Sequence, residues 1–310
     1  MNSAAALNQQ HYPATLLTLL NHAIAEGKLL PSACEIQGFS HHNNKNQMQY
    51  SVQTAAGAYF IKCQQSEYAD HFEAEDASLK ALMATQTIAT CAPLAVGQCD
   101  NFSYIILQHL PLAVHGDWFS AGQQLAQMHQ HHCDLGYGFP RTTYCGETAQ
   151  DNRWNNSWSD FFIQQRLKPL IDQLATRGIR FSVSRLCLIR CAAILSEHQP
   201  QASLLHGDLW SGNIGFNPDR YLSYPMIFDP ASYYGDAESD LAMTELFGRF
   251  PKKFYDGYQS INPVSDGYPQ RVRVYQLYHL LNHALLFGHN YIQQSEALMM
   301  EILQHDGADN

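Results

Sequence analysis

Leu204-Leu205-His206-Gly207-Asp208-Leu209-Trp210-Ser211-Gly212-Asn213 is followed, after a short interval, by Met226-Ile227-Phe228-Asp229-Pro230-Ala231. An apolar run delivers His206 and Asp208 to a loop, Asn213 follows, and a second apolar run delivers Asp229. One carboxylate that can orient a hydroxyl and take its proton, then an amide and a second carboxylate that can ligate Mg²⁺, is the order of parts that phosphoryl transfer from ATP requires. D-x-x-x-x-N alone is common by chance. Placed between two strand-like runs, with a second Asp ending the second run, it is specific. The alternative is a pair of acidic loops in an unrelated α/β protein.

Downstream lies Tyr233-Tyr234-Gly235-Asp236-Ala237-Glu238-Ser239-Asp240-Leu241-Ala242-Met243. Together with HGDLWSGN and FDPA it resembles the fructosamine kinase (ketosamine 3-kinase) family, a branch of the protein-kinase-like fold related to aminoglycoside phosphotransferases and choline kinases. The Trp-Ser pair in the loop and the YxGDxExDLAM pattern favour the ketosamine group. The resemblance runs from about Glu35 to beyond Gly288 and includes Asp256-Gly257-Tyr258-Gln259 and Tyr275-Gln276-Leu277-Tyr278. It implies an α+β, two-lobe fold: a small antiparallel-sheet N-lobe over 1–110 and a larger, mainly helical C-lobe over 111–310.

Composition agrees with a folded enzyme. The chain has 310 residues, 45% hydrophobic and 15% charged, enough for a large core or two lobes. Its net charge of −10 argues against a nucleic-acid surface and against an anionic membrane as partner. An ATP site remains compatible with that charge, because a local Lys and Mg²⁺ can hold phosphates. Residues 1–10 lack a basic region followed by an apolar core, so no signal peptide is expected. No run approaches the about 20 apolar residues of a membrane span. Eight scattered cysteines without a C-x-x-C pair suit reduced thiols and a cytoplasmic location. A monomer or weak dimer is expected.

Periodicity predicts an amphipathic helix over 12–30 ended by Pro31, and a strand over 35–41 followed by a polar turn at 42–46. A hairpin, 49–54 with 58–63, turns about Ala55-Ala56-Gly57, and a helix follows over 71–84. Strands over 94–98 and 104–110 complete a small sheet, and Pro111 marks the hinge. Helices are predicted over 119–131, 157–176 and 181–196. From Asp240 to Leu303 the pattern is helical, with a Pro/Gly-rich interruption at 251–269.

The resemblance assigns roles to particular residues. Lys62, at the end of Tyr59-Phe60-Ile61, matches the strand lysine that contacts the ATP phosphates, with Glu75 rather than Glu73 as its acidic partner. Backbone groups of Gln108, His109 and Leu110 would hold adenine. Asp208 would be the catalytic base, and Asn213 and Asp229 the Mg²⁺ ligands. His206 would brace the loop and Asp240 would hold its backbone. Many relatives carry Gly-Gly in the phosphate loop between the first two strands, where this chain has Asn43-Asn44. Asn tolerates the left-handed backbone next best after Gly, and Lys45 could add a phosphate contact; a flexible loop of little consequence is the alternative. Trp210 either lines a sugar-amine pocket or packs between lobes. Trp158, Phe161 and Phe162 read as core. His129, His131, His132 and Cys133 lack a second ligand pair with zinc spacing and read as a solvated helix end.

The resemblance thus implies transfer of the ATP γ-phosphoryl group, with Mg²⁺, to the 3-hydroxyl of a ketosamine, whose breakdown frees the amine. The rivals are another small-molecule hydroxyl kinase of the same fold, acting on an amino-alcohol or aminoglycoside, and a nucleotide-binding pseudokinase scaffold. Retention of Lys62, Asp208, Asn213 and Asp229 together weighs against the scaffold.

Overall fold

A computed structural model describes residues 13–44, 47–218 and 223–304. Along the chain, α1 (Ala14–Ala25) precedes β1 (Ile36–Asn44), β2 (Gln47–Thr54) and β3 (Gly57–Gln65). Then come α2 (Ala69–Ala84), β4 (Ala89–Thr90), β5 (Pro93–Cys99) and β6 (Phe102–Gln108). Next are α3 (Trp118–Met128), the hairpin β7 (Thr143–Cys145) and β8 (Thr148–Gln150), α4 (Trp158–Phe162), α5 (Lys168–Thr176) and α6 (Ser184–Ser196). The catalytic-type segment supplies β9 (Ser203–Leu204), β10 (Ile214–Pro218), β11 (Ser223–Ile227) and β12 (Tyr234–Gly235). The chain continues through α7 (Ala237–Leu246), α8 (Lys252–Gln259), α9 (Tyr268–Phe287) and α10 (His289–Gln304). Two units result: 1–73 with 92–110, and 74–91 with 111–310.

The first unit is an antiparallel sheet in the order β1-β2-β3-β6-β5. Strand alternation divides β3 between its faces. Tyr59, Ile61 and Cys63 join Tyr50, Val52, Tyr104 and Ile106 under Leu16, Leu19, Leu20 and Ala23 of α1. Lys62 therefore belongs to the opposite face, in register with Gln49 and Ile105. The opening helix stops well before Pro31. Gly27 takes φ +68° and Lys28 N–H folds back on Ala23 O at 2.9 Å, a glycine-type C-terminal stop. Pro31 instead opens a short 3₁₀ turn to Cys34. The polar turn expected at 42–46 is also corrected. β1 continues to Asn44, with Asn43 opposite Met48 and Asn44 opposite Gln47. Lys45 and Asn46 lie outside the described residues.

The second unit is built about α9, whose buried residues (among them Val274, Tyr275, Leu277, Tyr278, Leu281 and Leu285) occupy more than one face, as an interior helix requires. Trp158 and Phe162 are buried against its Tyr275, and Phe161 is buried between Trp158 and Tyr233. The 158–176 segment is helical throughout, capped by Ser157, with a π-helical turn over Ile163–Leu167. From that turn the buried Arg166 guanidinium reaches Asp151 O at 2.8 Å and lies 4.2 Å from the Tyr233 ring centre. Residues 251–269 are not simply an interruption, because α8 lies within them. Its Gly257 is a contact residue: a Cβ there would stand 2.1 Å from Phe119 O, and one on Gly122 1.9 Å from Phe254 O. Two glycines thus let α3 and α8 cross with their backbones nearly touching. Among the described residues no helix is long and apolar enough to cross a membrane.

Candidate active site

Two ladders fix the loop 205–213. β9 pairs antiparallel with β12, and the pairing continues as Leu205 N–H to Tyr233 O at 2.9 Å and Ala231 N–H to His206 O at 2.8 Å. Gly207 follows at φ +85°, and a Cβ on it would fall 2.1 Å from Ala231 O. No other residue satisfies both the left-handed backbone and that approach. β10 and β11 form the second ladder, with Ile214 opposite Ile227. That register sets Asn213 against Phe228, whose N–H donates to Asn213 O at 3.1 Å, and so presents Asp229 beside it. Asp229 is exposed and sits at φ +57°, a strained backbone for a non-glycine residue.

The loop rests on Asp240. Its Oδ2 accepts from His206 N–H at 2.7 Å and its Oδ1 from Gly207 N–H at 2.9 Å. His129 Nε2 lies 3.2 Å from Oδ2, and His129 Nδ1 lies 2.8 Å from the Tyr258 hydroxyl. Burial alone would raise the Asp240 pKa; the His129 hydrogen bond and charge, with His206 and the Gly207 N–H, outweigh it and hold the group below its ordinary value. His129 is therefore neither a solvated helix end nor a metal ligand. It is buried and joins α3 and α8 to the loop's brace. A run of histidines at a helix terminus gave no sign of this, since the partners come from distant elements.

His206 is fully buried, which lowers its pKa and keeps the ring neutral. Its Nε2 faces Phe228 O at 3.0 Å, while Nδ1 accepts from Asp208 N–H at 3.3 Å. A carbonyl can only accept and an N–H can only donate, so the proton sits on Nε2.

Asp208 is partly buried. Burial first, then the charges of Asp229 and Asp240, pushes its pKa up to about 7, against hydrogen bonds from Cys145 and Asn213. Its Oδ1 is buried without a hydrogen-bond partner. Asn213 Nδ2 donates to Asp208 O at 2.8 Å and, more weakly, to Oδ2 at 3.4 Å. That leaves the amide oxygen of Asn213 for a cation. With the Asp229 carboxylate it makes a pair of hard oxygen donors, the kind Mg²⁺ takes. Trp210 is 39% exposed, with its ring edge against Gly212.

Residues that sequence reasoning passed over line the other side of Asp208. Cys145 ends β7, with its sulfur within 4.8 Å of a carboxylate oxygen of Asp208. Asn282 of α9 donates to Cys145 O at 3.1 Å and to its sulfur at 3.2 Å, and accepts from Thr148. Gln150 donates to the Tyr278 hydroxyl at 2.8 Å. Only the Tyr275-to-Tyr278 stretch hinted at this wall. Asp236 and Glu238, seen in the sequence only as pattern, cap α7 and bind Arg271 respectively.

In the first unit Lys62 is buried, which requires that its charge be compensated. At the end of β6, Gln108 N–H donates to Ala92 O at 2.9 Å and His109 N–H to Ala58 O at 3.0 Å. Among the described residues Leu110 N–H has no backbone acceptor. On α2, Glu75 is partly buried while Glu73 is exposed.

The fructosamine kinase family model matches residues 30–305. The chain belongs to the fructosamine kinase family. It is 41% identical over 248 residues to a protein of Synechocystis sp. named a probable ketoamine kinase, covering 79% of this chain and 83% of that one. A crystal structure described as a candidate fructosamine-3-kinase from Haemophilus somnus superposes with a TM-score of 0.81 at 28% identity, covering 87% of this chain and 92% of the other. An aminoglycoside phosphotransferase solved with AMP-PNP and hygromycin B gives a TM-score of 0.61 at 13% identity, covering 93% and 98%. The last shares the fold alone. The fold is thus kinase-like, and this family member is a phosphotransferase with an alcohol group as acceptor.

Proposed function

We propose that the protein transfers the γ-phosphoryl group of ATP to the 3-hydroxyl of a ketosamine. The observation that carries this reading is the Asp208 carboxylate, held beside Asn213 and Asp229, with a buried oxygen that lacks a partner and a pKa of about 7. Such an oxygen accepts a hydrogen bond from an incoming hydroxyl and takes its proton as the phosphoryl group departs from ADP. Asn213 and Asp229 would hold Mg²⁺, which would supply positive charge against the phosphates. Asp240 and neutral His206 keep the loop backbone fixed while the proton moves. Lys62 contacts the phosphates. Asn43 and Asn44 stand in the phosphate-loop region, and the Gln108–Leu110 backbone holds adenine. Trp210 offers an exposed aromatic face to the C–H face of the sugar.

In this reading the 3-phosphate product breaks down and frees the amine, so the role is deglycation or repair of modified amines. Eight free thiols suit a cytoplasmic setting. The test is Mg²⁺-ATP-dependent ADP release with ribulosyl-lysine and with fructosyl-lysine, alongside Asp208→Ala. Release with either substrate, lost in the variant, supports the proposal and ranks the sugars. Release no greater than the variant's with both rejects the ketosamine acceptor.

A further inference from the structure

Asp208 also belongs to a second cluster. The sulfur of Cys145, a carboxylate oxygen of Asp208 and a ring nitrogen of His279 all lie within 4.8 Å of one another. They come from β7, the catalytic-type loop and the middle of α9. His279 is only 4% exposed, and its Nδ1 has no hydrogen-bond partner. Asp208 Oδ1 is in the same condition. Leaving a buried polar atom unpaired costs about 1–3 kcal/mol, and this corner carries two. Burial pushes the His279 pKa down to about 3, so the imidazole is neutral and keeps a lone pair at working pH. Burial and then the Asp208 charge hold the Cys145 thiol well above its ordinary pKa, so a bound cation would have to drive its ionisation; the Asn282 amide, donating to Cys145 Sγ at 3.2 Å, works in the cation's favour.

A second trio, His198, Asp236 and Glu238, is equally close-set but differs in kind. His198 Nε2 meets Asp236 Oδ2 at 2.9 Å, and both Glu238 oxygens accept from Arg271, at 2.6 and 2.8 Å. A guanidinium already supplies the positive charge there, and the donors are spent. Among the described residues the Cys145 corner forms no such ion pair, and Asp208 Oδ1 and His279 Nδ1 remain unpartnered.

We propose that Cys145, Asp208 and His279 form a site for a borderline-soft divalent cation, with Zn²⁺ the ion that fits best, and that its occupancy withdraws Asp208 from catalysis. One thiolate, one imidazole and one carboxylate with an open fourth position is a zinc donor set, whereas Mg²⁺ avoids sulfur. Bonds of about 2.0–2.3 Å in a tetrahedron place ligand atoms about 3.3–3.8 Å apart, so the trio needs to close by about 1.0–1.5 Å at most. On binding, the Cys145 S–H bond breaks, its proton goes to solvent, and a Zn–S bond forms with no change of oxidation state. The binding half stands on geometry alone; the inhibitory half rests on the proposed role of Asp208.

The experiment titrates chelator-stripped, full-length protein with Co²⁺ and follows the thiolate-to-cobalt charge-transfer absorption. One equivalent should produce the band, Zn²⁺ should displace it, and Cys145→Ser should abolish it. His279→Gln should weaken Zn²⁺ binding at least about tenfold, with melting curves confirming that both variants fold. Cys187→Ser controls for the other close thiols, Cys187 and Cys191, 3.8 Å apart, and should leave the band intact. No band, or one that survives Cys145→Ser, overturns the site. In parallel, Zn²⁺ under excess Mg²⁺-ATP should inhibit turnover of the wild type and inhibit Cys145→Ser at least about tenfold less, each relative to its own zinc-free rate. A cobalt band without zinc inhibition overturns the inhibitory half. Absence of ketosamine turnover would not disturb the spectroscopic result.

Discussion

Asp240, on α7, braces the loop that carries Asp208, and the surroundings of the two carboxylates push their ionisation in opposite directions. Asp240 is the more deeply buried, yet it stays below its ordinary pKa because two backbone N–H groups and His129 converge on it. Asp208 rises to about 7 because burial and two neighbouring carboxylates outweigh its few hydrogen bonds. Burial sets the cost of a charge, and the partners decide its sign. The same contrast separates a bracket from a reactive group. Asp240 is satisfied before any substrate arrives, whereas Asp208 keeps an oxygen in want of a donor.

The comparison breaks first at turnover. Asp208→Ala should lower kcat by roughly 10²–10⁴-fold while leaving ATP affinity, measured calorimetrically, close to that of the wild type. Equal turnover would remove Asp208 from its role. Asp240→Ala should instead act on stability. It strips a buried, hydrogen-bonded charge from His129 and from two backbone donors, at a cost of about 3–5 kcal/mol in denaturant unfolding at pH 7. A cost below about 1 kcal/mol, the worth of an exposed ion pair, would mean that the loop is braced elsewhere.

The two carboxylates should also respond oppositely to pH. Between about pH 4, the unfolded value, and the folded value near 7, native Asp208 binds more protons than the unfolded chain. Stability therefore falls as pH rises through that window, and the penalty is complete above it. Asp208→Asn should unfold at higher denaturant than the wild type at pH 8, by about 1–3 kcal/mol, with the gap closing toward pH 4. Asp240, held low, contributes stability above about pH 4 and loses it as pH falls through its depressed folded value. A destabilised Asp208→Asn at pH 8 would contradict the raised value.

A smaller effect sharpens the cause. Asp229→Asn removes the second-largest contribution to the Asp208 shift, so the acid limb of kcat/KM should move to lower pH by less than about one unit. The same variant should raise the Mg²⁺ concentration needed for half-maximal rate; an unchanged Mg²⁺ dependence would remove Asp229 as a metal ligand.

How far the sequence carried the fold and site depended on how local each feature is. The HGDLWSGN loop, the FDPA turn and the strand hairpin were readable because short-range spacing sets them. Trp158, Phe161 and Phe162 followed from periodicity. His129 was misread because its partners, Asp240 and Tyr258, come from elements remote in the chain. Cys145 and His279 meet only when the β7–β8 hairpin packs beside α9, and no motif announces that. Residues 251–269 read as a Pro/Gly-rich interruption, although within them the missing side chain of Gly257 serves the α3–α8 crossing.

The placement of 74–91 bears on how the chain could be taken apart. That excursion belongs with 111–310, and within it β4 pairs parallel with β11, Ala89 beside Met226 and Thr90 beside Ile227. A gene cut at residue 110 would leave this strand and most of α2 on the wrong fragment. The C-terminal piece would then expose the bare edge of β11, a template for aggregation. Fragments meant to fold and recombine would have to carry 74–91 on the C-terminal piece, which calls for a rearranged chain order rather than a simple truncation.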